Sequence, residues 1–215
     1  MDQKLLFLIN REWTHPALDW LMAVMSSAAL WTVPLVVLAA LVVLRGGFRG
    51  RLFVTVLLLA FVLSDAVFGS SIKKAVGRLR PHQSEFGVRQ IELTRPLWKG
   101  IAAPVKEEIS LGIGRDENGR SFPSNHASNT AAAAMVTAFF YRRRGWLAFL
   151  PALAVAYSRV YTGSHWPSDV VAGVCLGMGV AFAAILLAES LWRWLTPRFA
   201  PRLAAEHPSL LSFAA

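Results

Sequence analysis

The sequence predicts an all-α integral membrane protein, built as a bundle of five to six transmembrane helices. Of its 215 residues, 55% are apolar and only 16% are charged, whereas soluble domains carry about 25% charged residues. The apolar residues also fall into long runs, and with their flanking residues these approach the roughly 20 residues that a helix needs to cross the hydrocarbon. Five spans are predicted around the runs Leu30–Leu44, Leu52–Val67, Ala131–Tyr141, Trp146–Ala156 and Val170–Leu191.

The N-terminal residues 1–29 leave the number of spans open. Pro16–Ala29 contains Asp19 and places four apolar residues at helical spacing. This pattern favours an interfacial amphipathic helix that helps to wall a site. The segment could equally extend the first span or cross the membrane once more by itself.

The last span and the tail complete the predicted layout. Gly173 and Gly177 have the spacing that allows two helices to approach closely, and we expect this contact within one chain rather than in a dimer. The oligomeric state stays open. Residues 1–195 are predicted to form a single membrane-embedded domain, and residues 196–215, which contain three prolines, a loosely ordered tail.

Basic residues predict the orientation, because arginine and lysine favour cytoplasmic loops. Nine arginines in the short loops and the tail fall on one side: Arg45, Arg49, Arg51, Arg142, Arg143, Arg144, Arg193, Arg198 and Arg202. The C-terminus is therefore expected in the cytoplasm of a multi-pass inner-membrane protein. A long loop, from about Ser70 to Asn125, is then extracytoplasmic. Basic residues on that outer side indicate an anionic substrate, and their scatter argues against nucleic acid.

The first motif lies at the outer end of the second predicted span and reads Lys73-x6-Arg80-Pro81. Two helical turns separate Lys73 from Arg80, so both side chains can face the same way. Pro81 is expected to end or kink that helix. Cations beside a membrane interface often only reach for lipid headgroups, and Lys74 and Arg78 are interpreted in that way.

The second motif, Pro123-Ser124-Asn125-His126, precedes the alanine-rich third span. Ser124 is the expected N-cap of that helix. A helix N-terminus presents unpaired N–H groups and a partial positive charge, which suit a phosphate. A capped helix start explains Ser124 without any function, but it gives no reason for His126.

The third motif places Arg159 near the end of the fourth span, and His165 and Asp169 around the start of the fifth. The i, i+4 spacing can bring the Asp169 carboxylate to one ring nitrogen of His165, leaving the other nitrogen free to attack. Asp169 could instead serve only as an acid at a helix start. Ionisable groups at membrane depth are, however, functional by default, and the planar guanidinium of Arg159 matches phosphate oxygens.

Together the three motifs resemble the signature of the type 2 phosphatidic acid phosphatase family of integral membrane lipid phosphatases. The resemblance covers roughly Ser64 to Gly179. One position departs from it, since the family usually has Gly where this chain has Asn125. We expect the backbone amide contact to survive there, because Asn tolerates tight backbone conformations better than most residues.

The resemblance implies a two-step phosphoryl transfer that needs no metal or other cofactor. It assigns nucleophilic attack to His165, orientation of that ring to Asp169, and general acid–base catalysis to His126. It also assigns the grip on phosphate oxygens to Lys73, Arg80, Ser124, Asn125 and Arg159. No His, Asp and Glu cluster in the sequence has convincing metal-ligand spacing.

The implied substrate is a lipid phosphate whose tail stays in the bilayer. Undecaprenyl pyrophosphate and phosphatidylglycerol phosphate are the favoured candidates, ahead of phosphatidic acid and lipid A. A vanadium-dependent haloperoxidase has a similar constellation, but those enzymes are soluble. The non-enzymatic alternative is a protein that binds or moves lipid phosphates without turnover. That alternative needs the cations but not a nucleophile such as His165.

Overall fold

The computed structural model describes residues 1–94, 101–112 and 120–210. These parts contain ten α-helices and one two-stranded sheet, joined by short π- and 3-10 segments. The elements are α1 (Asp2–Phe7), a π-helix (Leu8–Glu12), α2 (Pro16–Ser26), α3 (Ala28–Arg45), α4 (Gly47–Val62), a π-helix (Leu63–Gly69), α5 (Ser70–Val76), α6 (Pro81–Ser84), β1 (Phe86–Leu93), β2 (Val105–Leu111), α7 (Asn125–Gly145), a 3-10 turn (Trp146–Ala148), α8 (Phe149–Tyr161), α9 (Pro167–Phe199) and α10 (Pro201–Glu206).

Three helical stretches of the described chain are long and apolar enough to cross a membrane: Ala28–Arg45, Gly47–Ser84 and Pro167–Phe199. They correspond to the first, second and fifth predicted spans. The third and fourth predicted spans lie in α7 and α8. Helix α7 is polar through its first turns, and α8 has only 13 residues. The bundle of five to six spans therefore stays a prediction.

The described chain is mostly helical, as predicted, but the long outer loop is not entirely without regular structure. The predicted outer loop contains an antiparallel hairpin in which β1 pairs with β2, from Phe86 opposite Leu111 to Leu93 opposite Val105. Val88, Ile91 and Leu93 are buried against the helices, so burial of apolar side chains gives the hairpin its place. Two other parts of that loop, 95–100 and 113–119, lie outside the described residues.

Helix α2 is a separate element that packs against α8 and the hairpin. It ends at Ser26 and is followed by Ser27 in an extended conformation, so it does not extend α3. Its 11 residues span about 17 Å, whereas the hydrocarbon is about 30 Å thick. Asp19 accepts hydrogen bonds from the Tyr161 hydroxyl at 2.7 Å and from Arg89 at 2.9 Å, which explains an acid in this apolar helix.

Two apolar cores hold the helices together. One joins α1, α2, the hairpin, α8 and the starts of α7 and α9, and the other joins α4, α7 and α9. In the second core, α9 lies directly on α7: a Cβ atom at Gly177 would stand 2.0 Å from the Ser128 carbonyl oxygen, and one at Gly173 would stand 2.6 Å from that of Ser124. The prediction that these glycines serve packing within the chain is confirmed.

The tail predicted to be loose is folded as far as the structure describes it. After α9, residues 201–206 form α10, and the chain then returns to α9. The Trp192 indole donates to the His207 carbonyl oxygen at 2.8 Å, and the Leu210 amide donates to Glu189 at 2.7 Å. Side chains of α9 thus satisfy the backbone of the tail. The last predicted tail residues, 211–215, lie outside the described residues.

Asn10 provides a test of how the N-terminal elements are joined. It is fully buried, and its amide donates to the carbonyl oxygens of Arg89 and Tyr161 at 2.9 and 2.7 Å while accepting from the Arg89 amide at 2.9 Å. Asn10→Ala leaves these backbone groups unpaired, at about 1–3 kcal/mol for each buried group. We expect denaturant titration in micelles to show a loss of at least about 2 kcal/mol.

Thr14→Ala is the control, because its hydroxyl makes only an exposed 3.5 Å contact with the Arg11 carbonyl oxygen. We expect a change within about 0.5 kcal/mol for this variant. Equal, small effects of both substitutions would contradict the role given to Asn10.

Candidate active site

His165 and Asp169 meet in the interior at the start of α9. Their relative exposures are 1% and 0%, and His165 Nδ1 lies 3.7 Å from Asp169 Oδ2. The Trp166 amide donates to the same carboxylate oxygen at 3.0 Å. The predicted i, i+4 contact is therefore present as a charge–dipole contact, longer than a hydrogen bond. Because Nδ1 faces the carboxylate, Nε2 is the nitrogen left for chemistry.

Ser121 stands between the two side chains. Its hydroxyl donates to Asp169 Oδ2 and lies 3.4 Å from His165 Nδ1. The hydroxyl is fully buried, so it supplies Asp169 with a hydrogen bond where water has no access. Sequence reasoning missed Ser121, which lies three residues before Ser124.

Burial lowers the pKa of His165 to about 4, although the neighbouring Asp169 acts in the opposite direction. The ordinary value is about 6.5. Desolvation disfavours the charged imidazolium. His165 is therefore neutral at physiological pH, with a lone pair on its outward nitrogen.

His126 lies in the first turn of α7 and interacts electrostatically with Arg159, His165, Arg80 and Lys73. Such interactions fall off steeply with distance, so the five side chains form one cluster. They come from five different places in the fold: α5, the N-cap of α6, α7, α8 and the turn before α9. The structure thus brings together the ionisable residues of all three motifs.

The backbone that carries Lys73 and Arg80 differs from the predicted one. Helix α5 ends at Val76, and Gly77 takes the left-handed conformation with a φ of 61°. Arg80 is then the N-cap of the short helix α6, in which Pro81 is the first residue. The prediction of one continuous helix to Pro81 is wrong, because Gly adopts positive φ at little cost and favours a helix stop.

Ser124 and Asn125 occupy the N-terminus of α7. Ser124 is the N-cap as predicted, but it makes no capping hydrogen bond, and its buried hydroxyl has no partner in the described structure. The backbone N–H of Ser124 donates a hydrogen bond to the backbone carbonyl oxygen of Asp169 at 3.1 Å. The side-chain amide group of Asn125 lies against Gly69. A Cβ atom added to Gly69 would stand 3.2 Å from Asn125 Oδ1. Gly69 thus makes room for the side chain that departs from the family pattern.

Arg159 is 8% exposed and projects from the end of α8. It donates through Nη1 to the Ser26 hydroxyl and, at 3.3 Å, to the Ser26 carbonyl oxygen. The Nε atoms of Arg159 and Arg80 are buried and have no hydrogen-bond partner among the described residues. Buried guanidinium N–H groups without partners are costly, so both arginines have donor capacity for an anion.

Arg78 is the main residue that sequence reasoning misinterpreted. It does not reach for headgroups but donates to Asp169 Oδ1 at 2.8 Å and to Asp2 Oδ2 at 2.6 Å. Asp2 also accepts from the Ser168 amide at 2.9 Å. The only available signal was the position of Arg78 inside the first motif.

The PAP2 superfamily pattern matches residues 53–193, more than half of the chain and all three motifs. A lipid A 4'-phosphatase from Bacteroides thetaiotaomicron is 28% identical over 82% of this chain and 72% of its own length. An undecaprenyl-diphosphatase from Sulfolobus acidocaldarius is 39% identical, over 30% of this chain and 32% of that protein. The crystal structure of Aquifex aeolicus LpxE has a TM-score of 0.61 and 25% identity, and the match covers 86% of this chain and 94% of that one. The chain therefore belongs to the PAP2 superfamily.

Proposed function

We propose that this protein is a membrane phosphatase that hydrolyses a phosphate monoester or pyrophosphate on a lipid. The observation that carries the proposal is the buried, neutral His165 held beside Asp169 at a cluster of Lys73, Arg80 and Arg159. Phosphoryl transfer requires positioning and charge stabilisation more than elaborate covalent chemistry. The names of the relatives, lipid A 4'-phosphatase and undecaprenyl-diphosphatase, support the same class of reaction.

In the proposed first step, His165 Nε2 attacks phosphorus and the bond from phosphorus to the leaving oxygen breaks. Burial lowers the pKa of His126 to about 3, so His126 takes a proton from the bound phosphate monoanion and passes it to that oxygen. The lipid then leaves as an alcohol, or as a monophosphate when the substrate is a pyrophosphate. Asp169 stabilises the positive charge on the phosphorylated ring. In the second step His126 accepts a proton from water, which attacks phosphorus and releases inorganic phosphate and neutral His165.

Lys73, Arg80 and Arg159 hold the three non-bridging oxygens in this proposal. Backbone N–H groups at the start of α7, near Ser124 and Asn125, assist them because a helix N-terminus favours anions. Three fixed cations can take the part that a metal plays in other phosphatases, so the reaction needs no cofactor.

The proposed substrate is a lipid because the site lies at the ends of apolar helices. Undecaprenyl pyrophosphate and phosphatidylglycerol phosphate remain the favoured candidates, and a lipid A phosphate joins them through the relatives. The arginine-rich loops favour an active site on the extracytoplasmic face and a cytoplasmic C-terminus. The competing function, lipid binding or movement without turnover, gives no reason for a desolvated nucleophile beside Asp169.

His165→Ala and His126→Ala test the two proposed catalytic roles. With a radiolabelled lipid phosphate in nanodiscs, we expect rapid quench to trap an acid-labile phosphoenzyme in the wild type and none in His165→Ala. In His126→Ala, kcat should fall by about 10²–10⁴-fold, the usual contribution of acid–base catalysis. The fall should be smallest for substrates with good leaving groups. Phosphoenzyme at wild-type level in His165→Ala would rule out the mechanism.

The matched control is His15→Asn. His15 caps α2 through its ring, which accepts from the Ala17 amide at 3.2 Å, and Asn is a good N-cap. We expect activity within about twofold of the wild type, because the capping interaction worth about 1 kcal/mol is kept.

The pH dependence of kcat/KM tests the buried state of His165. This parameter reports the free enzyme, in which burial lowers the pKa of His165 to about 4. The neutral, reactive form then persists through pH 6.5 and is lost only as the pH falls toward 4. After correction for the substrate's own phosphate ionisation, measured by phosphorus NMR, we expect no titration near 6.5. An acidic midpoint at 6.5 would contradict the buried, neutral nucleophile.

A further inference from the structure

Beside the cationic cluster lies a cavity of about 210 Å³ whose walls are mainly polar. Arg80 and Arg159 line it on one side. The remaining walls come from the end of α2 with Ser26, from the start of α3, from His82 of α6, from β1, and from the turn between α8 and α9. Both proposed phosphate-binding arginines therefore border a second space.

The wall formed by β1 is a free strand edge. Two contacts show which backbone groups lie on this edge. The Thr94 N–H donates to the Pro104 carbonyl oxygen at 2.7 Å, so Thr94 faces the partner strand of the hairpin. The backbone of Arg89 exchanges hydrogen bonds with the Asn10 side chain, so Arg89 faces the opposite, outer edge. Because backbone groups alternate between the two edges of a strand, Ile91 and Leu93 share the outer edge with Arg89. Among the described residues, neither has a hydrogen-bond partner at that edge.

The cavity walls are held in place by bonds outside the cavity. Arg89, next to Gln90, donates to Asp19 of α2 at 2.9 Å and to Glu107 of β2 at 2.5 Å. Trp20 of α2 donates to the Ile101 carbonyl oxygen at 2.8 Å. A preformed cavity binds its ligand without the cost of ordering its own walls.

The polar groups around the cavity call for a ligand that both donates and accepts hydrogen bonds. Donors come from the Gln90 side-chain amide and the Thr162 and Ser164 hydroxyl groups, whose residues line the cavity together with Arg80 and Arg159. Acceptors come from Glu92, a lining residue whose carboxylate interacts electrostatically with Arg159, and from the strand-edge carbonyl groups. Hydroxyl groups satisfy both kinds, since each is one donor and an acceptor.

We infer that this cavity binds the polar, hydroxyl-bearing headgroup that carries the scissile phosphate, so that the preferred substrates are phosphorylated glycerol or sugar headgroups on lipids. The inference rests on the proposed function and names its substrate class. The volume fits a headgroup, because sites for whole drug-sized ligands occupy about 300–1,000 Å³. The acyl chains stay outside.

A second phosphate is the competing occupant: Arg80 and Arg159 attract it, but in the proposed function these two arginines already hold the scissile phosphate. Glu92 and the strand-edge carbonyl oxygens are acceptors, and they repel the oxygens of a diphosphate. A polyprenyl chain places bare hydrocarbon next to the phosphate and would leave the polar groups of the cavity walls without hydrogen-bond partners. A site built to bind hydroxyl groups discriminates strongly against ligands that lack them. The cavity therefore favours phosphatidylglycerol phosphate over undecaprenyl pyrophosphate.

The test compares phosphate release from phosphatidylglycerol phosphate, phosphatidic acid and undecaprenyl pyrophosphate in the same nanodiscs. We expect the highest kcat/KM for phosphatidylglycerol phosphate. Glu92→Gln and Gln90→Ala should lower its ratio to phosphatidic acid by about 10-fold, as for loss of one hydrogen bond to a charged or polar group. The control is Glu108→Gln, an acid on β2 that pairs with Lys106 at 2.5 Å and should leave the ratio unchanged.

The outcomes separate this inference from the proposed function. If lipids are hydrolysed but the ratio is insensitive to Glu92 and Gln90, or if undecaprenyl pyrophosphate is preferred, the headgroup inference fails and the phosphatase stands. If no lipid is hydrolysed, the phosphatase proposal fails. Calorimetry of glycerol 3-phosphate against inorganic phosphate then still tests the cavity, and equal affinities would overturn it.

A second inference rests on Arg78. Its guanidinium joins Asp169 to Asp2, also contacts the Ser168 hydroxyl at 2.7 Å, and lies 4.9 Å above the ring of Trp166. Four contacts fix a side chain whose exposure is only 31%. The geometry assigns Arg78 the part of a positioning residue, which holds the Asp169 carboxylate toward His165 and is itself held by Asp2 of the N-terminal helix.

Arg78→Gln tests this assignment through the division between kcat and KM. We expect phosphoenzyme formation and kcat to fall about 10–100-fold, as for loss of a charge-assisted hydrogen bond of about 1.5–3 kcal/mol, with KM within about threefold. Arg78→Lys should recover only part of the rate, because Lys cannot bridge two carboxylates as a planar fork. Lys74→Gln, a neighbouring cation, is the control.

Asp2→Asn keeps the test decisive if Arg78→Gln folds poorly. It weakens only the outer half of the bridge, so kcat should fall less than in Arg78→Gln while the melting temperature is kept. The positioning role would be contradicted if kcat were unchanged in both variants. It would also be contradicted if KM, kcat and the melting temperature all changed together, since Arg78 would then only stabilise the fold.

Discussion

The structure of the site depends on one buried carboxylate. Asp169 is completely inaccessible, and an ionised group in such surroundings persists only when partners replace the water it has lost. Its partners come from distant parts of the chain: Arg78 after α5, Ser121 before α7, and the Trp166 amide at the start of α9. Its backbone oxygen also accepts from Ser124. Satisfying Asp169 thus draws the ends of all three motifs to one place.

Helix packing provides the frame within which that convergence is possible. Gly173 and Gly177 let α9 approach α7 at backbone distance, and this sets the first turn of α7, with His126, beside the start of α9, with His165. In a lipid environment, helices associate through close packing rather than hydrophobic exclusion. The small residues on these two helices therefore help to set the geometry of the candidate active site.

The sequence predicts what is local and misses what is distant. Apolar runs locate α3, α4 and α9, and the i, i+4 spacing locates the His165–Asp169 pair, because both signals lie within one helix or turn. The break at Gly77 was missed because Gly costs only about 1 kcal/mol inside a helix, which does not exclude a continuous one. The period-2 signal of Val88, Ile91 and Leu93 was obscured by a bulge near Phe86. Nothing local to Arg78 or Asp2 predicts their bridge, since it spans 76 residues.

Phosphate binding and substrate selectivity are assigned to different parts of the site, because all lipid phosphates share the phosphoryl group. In the proposed function Lys73, Arg80 and Arg159 hold the phosphoryl oxygens, which every candidate substrate presents, so these residues cannot distinguish one lipid from another. Selectivity is a difference between binding energies, and it must come from surfaces that meet the rest of the headgroup. Next to these arginines, the described surfaces of that kind are the end of α2, which precedes the superfamily match at residue 53, and the free edge of β1. Substrate choice can therefore change through these two elements while the phosphate site stays the same.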